Sequence, residues 1–181
     1  MISTLNTLSN QLWMEESPMR GGDSNPPDKH HRFEISGEKS CLKPKNAFWT
    51  STAFKALDGN YTSSWVEWCK SEMSEWFSPK GFLFKAKPQA KILTIRNDHE
   101  AEVIYRKHLG PDYPLSSDSW DSKLFIIKHF PWKLISSQYD GIHYDPDYSE
   151  DMPLIMHAWD CESTVWFDMN ALELIGTVKI T

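Results

Sequence analysis

The stretch Ala47-Phe48-Trp49-Thr50-Ser51-Thr52-Ala53, with Ser64-Trp65-Val66-Glu67-Trp68-Cys69 running on to Trp76 and Pro79, decides the reading of the fold. Aromatic and β-branched residues crowd the first part, which reads as a strand ending in hydroxyls. Asp58-Gly59-Asn60 turns the chain. Ser64 and Glu67 have the spacing of a capping box, and Trp65, Trp68, Cys69, Met73 and Trp76 recur at helical intervals until Pro79. The spacing predicts a helix over 64–78, capped by Ser64.

Outward from this unit, Gly81–Lys85 and Lys91–Arg96 read as strands separated by a Lys87-Pro88-Gln89 turn. Asn97 or Asp98 caps a helix through Lys107, with Ala101, Ile104 and Tyr105 on one side. A further helix is expected over 120–137, interrupted or restarted at Pro131. Asp140-Gly141 leads into a strand Ile142–Tyr144, and Thr164–Phe167 and Leu174–Ile180 close the chain as strands. Strands lie before, between and after the helices without regular βαβ alternation, which gives an α+β domain.

The N-terminal part is less regular. Residues 17–31 concentrate Pro, Gly and polar side chains, so no long helix or central strand fits there. Leu12-Trp13-Met14 and Arg32–Ile35 are two candidate first strands. Residues 1–31 are therefore read as a flexible segment ahead of a single domain, 32–181.

At 181 residues, 40% of them hydrophobic, the chain can build one sizeable core. A net charge of −6 works against a broad phosphate-binding surface, so nucleic acid is an unfavoured partner and a protein or small molecule a favoured one. The three cysteines, Cys41, Cys69 and Cys161, are odd in number and widely spaced, which suits free thiols rather than a disulfide framework or zinc site. No apolar run reaches the roughly 18 residues of a membrane span, and no Sec-type leader is visible. The expected location is cytoplasmic, in the producing cell or in a host cell into which the protein is delivered.

Two segments are candidates for chemistry. Asp160 and Glu162 stand just before the apolar run Val165-Trp166-Phe167, where a carboxylate rests on rigid backbone and can still face a cleft. Thr50-Ser51-Thr52 ends an aromatic strand. Read singly, the first is a solvated loop charge and the second a turn. His143, Asp145, His157 and Asp160 match no familiar metal spacing, and no local signature supports Cys161 as a nucleophile with His143 or His157 as base.

Taken together, Phe48-Trp49-Thr50-Ser51-Thr52 with its following helix, and Glu162-Ser163-Thr164-Val165-Trp166-Phe167-Asp168, resemble the ADP-ribosyltransferase superfamily. In that family a strand with a Ser-Thr-Ser-like trio precedes a helix, and a late strand carries a catalytic glutamate. The resemblance covers about 47–77 and 139–181, including Tyr139-Asp140-Gly141-Ile142, which is similar to small bacterial and phage members. It departs in its Thr-Ser-Thr trio and in Asp160, where arginine-modifying members carry a second glutamate.

The resemblance implies mixed, mostly antiparallel sheets packed with helices around an NAD cleft. It implies a mono-ADP-ribosyltransferase, a glycosyltransferase-class enzyme of toxin, effector or phage-modifier type, that uses NAD as substrate, needs no metal and acts on a protein target. NAD hydrolysis and a non-catalytic binding module are the alternatives. Glu162 is then the catalytic carboxylate and Asp160 its acceptor-side companion. Thr50, Ser51, Thr52, Trp49, Tyr61 and Trp65 are the implied NAD-binding residues. An Arg or His on the first strand is also expected; of Arg20, His31 and Arg32, Arg32 is chosen, and a first strand at Leu12–Met14 would lack such a residue.

Overall fold

The computed structural model describes residues 4–5, 8–14, 25–35, 43–44, 46–109, 129–146 and 159–181. In chain order these form β1 (Thr4–Leu5), β2 (Gln11–Met14), β3 (Phe48–Thr52), β4 (Phe54–Lys55), β5 (Tyr61–Thr62), α1 (Ser64–Glu72), β6 (Lys80–Ala86), β7 (Ile92–Ile95), α2 (Asp98–Leu109), α3 (Trp132–Gln138), β8 (Gly141–Tyr144), β9 (Ser163–Trp166) and β10 (Leu172–Lys179). Eight strands make one sheet in the order β1-β7-β8-β9-β3-β2-β6-β10, and β4 and β5 form a separate hairpin. Only β7 and β8 run parallel among the described pairs. A parallel pair needs a long crossover, and α2 and α3 lie in the one that joins these two strands. The architecture is α+β with a mixed, mostly antiparallel sheet.

Residues opposite one another across a ladder share a face of the sheet. One face of the centre therefore carries two successive rows. Ile92, Gly141, Trp166 and Phe48 form an apolar row, and Thr94, His143, Thr164 and Thr50 form a polar row beside it. Gly141 is required where it stands: a Cβ there would come within 2.6 Å of the Val165 carbonyl and 3.3 Å of the Trp166 ring. The Asp140 carboxylate fixes the same corner by accepting the Lys91 N–H at 2.8 Å.

On the opposite face Leu93, Ile142 and Val165 pack with Ala101, Ile104 and Tyr105 of α2, Trp132 and Ile135 of α3, and Trp159. Each such buried side chain contributes roughly 1.5–3 kcal/mol relative to exposure. A further cluster joins Val66 and Cys69 of α1 to Leu12, Met14 and Ile180. Leu12 and Met14 are buried in a strand between β3 and β6, so packed structure begins ahead of residue 32. Residues 11–14 take their place by pairing with β3 on one side and β6 on the other. Arg32–Ile35 is no strand; Arg32 makes an isolated bridge to Asp168.

The N-cap of α1 is Ser63, not Ser64: its Oγ accepts the Val66 N–H at 3.3 Å. Glu67 consequently sits one position too late to close a capping box, and bonds the Thr62 hydroxyl and Lys70 instead. The helix ends at Glu72, short of the expected 78, and a 3-10 turn covers Ser74–Trp76. In a continuous helix Trp76 would stand about 16 Å along the axis from Trp65. The break at Met73 brings their rings to 6.0 Å, with Trp68 stacked on Trp65 at 4.9 Å. Asn97 caps α2 as expected, its Oδ1 accepting the Glu100 N–H at 3.0 Å. Of the helix expected over 120–137, α3 begins directly after Pro131, and 120–128 lie outside the described residues.

Candidate active site

Glu162 is delivered by a tight turn. Asp160 has a left-handed backbone (φ 53°), a conformation that aspartate tolerates better than most residues, and the Cys161 N–H folds back onto the Trp159 carbonyl. Trp159 drops into the core beneath α2 and α3, and Glu162 leads into β9 beside the end of β3. There its buried carboxylate is held from three directions. Ser51 Oγ donates to Oε2 at 2.7 Å, Thr52 Oγ1 donates to Oε1 at 2.9 Å, and the Thr52 N–H donates to Oε2 at 3.0 Å. Bonds of this charge-assisted kind are roughly twice as strong as neutral ones.

His143 adds a further contact. Its Nδ1 lies 2.9 Å from Thr164 Oγ1 and 3.4 Å from Glu162 Oε1. A carboxylate only accepts, so an Nδ1–H tautomer suits both neighbours. Burial pushes the imidazolium below its ordinary range; Glu162 and Asp145 pull it back up, and Arg96 opposes them. The ring is thus kept neutral beside the carboxylate.

The trio is shared between partners. Ser51 contacts Glu162 and also accepts the Trp65 N–H at 3.4 Å, which ties the first turn of α1 to the site. Thr50 points the other way: its Oγ1 bonds the Trp166 indole and the side chain of Gln11. Trp49, on the alternate face of β3, packs edge-on to Trp159 at 4.7 Å with the Lys43 ammonium 5.7 Å from its ring. Tyr61 packs against the α1 cluster. Asp160 is half-exposed and pairs with Lys43 at 3.1 Å.

Arg32 is not brought to this cluster. Its guanidinium bonds Asp168 at 2.7 Å and the Ser136 carbonyl at 2.8 Å. Asp168 follows the far end of β9, six residues from Glu162, or about 20 Å of extended chain. Burial alone would raise the Asp168 carboxyl, but the Asn170 N–H groups and Arg32 hold it below the usual range. Arg32 is therefore a tie between the 25–35 segment, α3 and β9.

Gln11 and His143 are the site neighbours that sequence reasoning passed over in these roles. A signal exists for both: each is a lone polar residue within an apolar strand, beside Leu12-Trp13-Met14 and between Ile142 and Tyr144. Burial disfavours the cysteine reading of this region. Burial pushes the Cys161 thiol up to about 11 and Cys69 up to about 12, so neither is a thiolate at neutral pH. Among the described residues no group of three His, Cys, Asp or Glu is placed to hold a metal, and no helix is long and apolar enough to cross a membrane. His157, Arg20 and Cys41 lie outside the described residues.

No protein-family model, curated protein or solved structure matches the chain.

Proposed function

We propose that the chain is a mono-ADP-ribosyltransferase, built on an ADP-ribosyltransferase-like fold, that cleaves NAD between nicotinamide and ribose and passes ADP-ribose to a protein side chain. The observation that carries the reading is the grip of Ser51 and Thr52 on Glu162. These residues come from the two distant segments whose pairing forms the resemblance, and they meet at one buried carboxylate.

The chemistry follows from the charge that develops. As the bond from ribose C1′ to the nicotinamide nitrogen breaks, its electron pair leaves with nicotinamide and the sugar becomes oxocarbenium-like. A fixed anion lowers that barrier because it meets the positive charge mainly in the transition state. Glu162 would also accept the ribose 2′-hydroxyl, displacing its contact with His143 at 3.4 Å. Trp65 would offer an aromatic face, and Asp160, half-exposed on the same turn, would position the acceptor. NAD is a substrate here and no metal is involved. The setting is cytoplasmic, in the producer or in a host.

A non-catalytic binding module on the same scaffold is the second reading, and one placement favours it. The strand beside the trio offers Gln11 where the resemblance expects Arg or His, and Arg32 is engaged elsewhere. Incubation with NAD and a protein extract separates the readings. Nicotinamide release with a mass gain on acceptor proteins supports transfer, and release without acceptor modification indicates an NAD glycohydrolase. Thermal stabilisation by NAD without release indicates the binding module. The absence of all three overturns the proposal.

A further inference from the structure

Gln11 is fully buried, and each of its side-chain contacts can be assigned a direction. The indole Nε1 of Trp166 is a donor only, and it lies 2.7 Å from Thr50 Oγ1. With one lone pair of Thr50 occupied, its hydroxyl proton goes to the amide oxygen of Gln11 at 2.8 Å. That orients the amide, so Gln11 Nε2 faces the Ser9 carbonyl at 3.2 Å and Thr52 Oγ1 at 3.3 Å. The Ser9 carbonyl is an acceptor only, which independently requires nitrogen on that side. Thr52 Oγ1 now receives a proton from Gln11, and its own proton is directed to Glu162 Oε1 at 2.9 Å.

We infer that Gln11 is a positioning residue: it closes a one-way hydrogen-bond chain, Trp166 to Thr50 to Gln11 to Thr52 to Glu162, that holds the Thr52 hydroxyl as a donor to the carboxylate. The catalytic meaning of this role rests on the reading of Glu162 as the reactive-site anion. The opposite amide orientation would set two acceptors face to face at Ser9 and draw the Thr52 proton away from Glu162. Gln11 and Trp166 at 0% exposure and Thr50 at 4% are buried, and Thr52 is half-buried. In such surroundings each bond polarises the next, and a broken link leaves a polar group without water to replace its partner.

Three measurements on the full chain test this. In the wild-type protein, nuclear Overhauser contacts from the Gln11 Nε2 protons should reach the Thr52 side chain; contacts to Thr50 instead overturn the assignment. In urea unfolding, Gln11→Met and Glu162→Gln should be coupled at least threefold in the unfolding equilibrium constant, and the coupling should vanish in a Thr52→Val background. No coupling, or coupling that survives Thr52→Val, overturns the chain. In NAD cleavage, Gln11→Met should lower kcat about tenfold with KM changed less than twofold. Gln11→Glu should regain rate as the pH falls and its carboxyl becomes able to donate to Thr52, whereas equal loss at every pH counts against positioning. If the wild type does not cleave NAD, the reading of Glu162 fails, while the first two measurements still decide the hydrogen-bond chain.

Discussion

Replacing Ser51 by alanine removes one oxygen from a site that is 1% exposed, so the change creates little cavity and acts through the hydroxyl's own bonds, of which that to the Glu162 carboxylate is the shortest. The hydroxyl donates at 2.7 Å to the Glu162 carboxylate and lies 3.0 Å from the Glu162 carbonyl, while its contact with the Trp65 backbone N–H is long at 3.4 Å. A hydrogen bond to a charged group contributes about 1.5–3 kcal/mol net. For a chain of this size each kcal/mol lowers Tm by about 2–4 °C, so Ser51→Ala should melt about 3–12 °C below wild type. The assay is urea unfolding followed by tryptophan fluorescence, with Glu162→Met as the partner in a double-mutant cycle. Methionine keeps the length of the side chain and removes the acceptor. The two substitutions should be non-additive by about 1.5–3 kcal/mol, and additivity within about 0.5 kcal/mol would refute the claim that Ser51 and Glu162 act on each other.

Gly141→Ala should destabilise by about 1–3 kcal/mol, toward the upper end, because the added methyl meets the rigid Val165 carbonyl at 2.6 Å; an unchanged Tm would remove the close approach of β8 and β9. Folding holds the His143 imidazolium below its ordinary value of 6.5, so the unfolded chain binds the proton more readily and stability should fall as pH drops below about 6.5. His143→Asn should flatten that acid-side slope in pH-dependent thermal melts, and part should remain because burial lowers His108 as well. An unaltered slope would show that His143 titrates as it does in the unfolded chain.

Local patterning carried much of the fold. The strands at 48–52, 80–86, 92–95 and 141–144 and the helix capped by Asn97 follow from alternation, turn residues and caps, all short-range signals. Failures arose where distant contacts decide. The early end of α1 depends on Trp76 folding back onto Trp65, which helical periodicity cannot foresee. Leu12–Met14 is readable as a candidate first strand, but that β3 and β6 flank it is not. The candidate site was legible in part. Glu162 and the hydroxyl trio stood out as segments, and Ser51 and Thr52 of the trio contact Glu162, whereas Thr50 does not. Arg32 was chosen for its charge and its place before Phe33 and Ile35, but its partners are Asp168 and Ser136. Gln11 looked like an ordinary polar residue because its meaning lies in a strand pairing with Thr52, 41 positions away.

Stabilisation of positive charge on the ribose by Glu162 is read out by NAD turnover of the wild type beside Glu162→Gln. Glutamine keeps the size and most of the hydrogen bonding of Glu162 while deleting its charge, so the fold should persist. Asp160→Asn, measured beside it, should affect cleavage less and transfer to the acceptor more, given that Asp160 pairs with Lys43 away from the Glu162 clamp. Glu162→Gln should lose two or more orders of magnitude in rate, about 3 kcal/mol or more of transition-state stabilisation, with NAD binding largely retained. An unchanged rate in Glu162→Gln would contradict it.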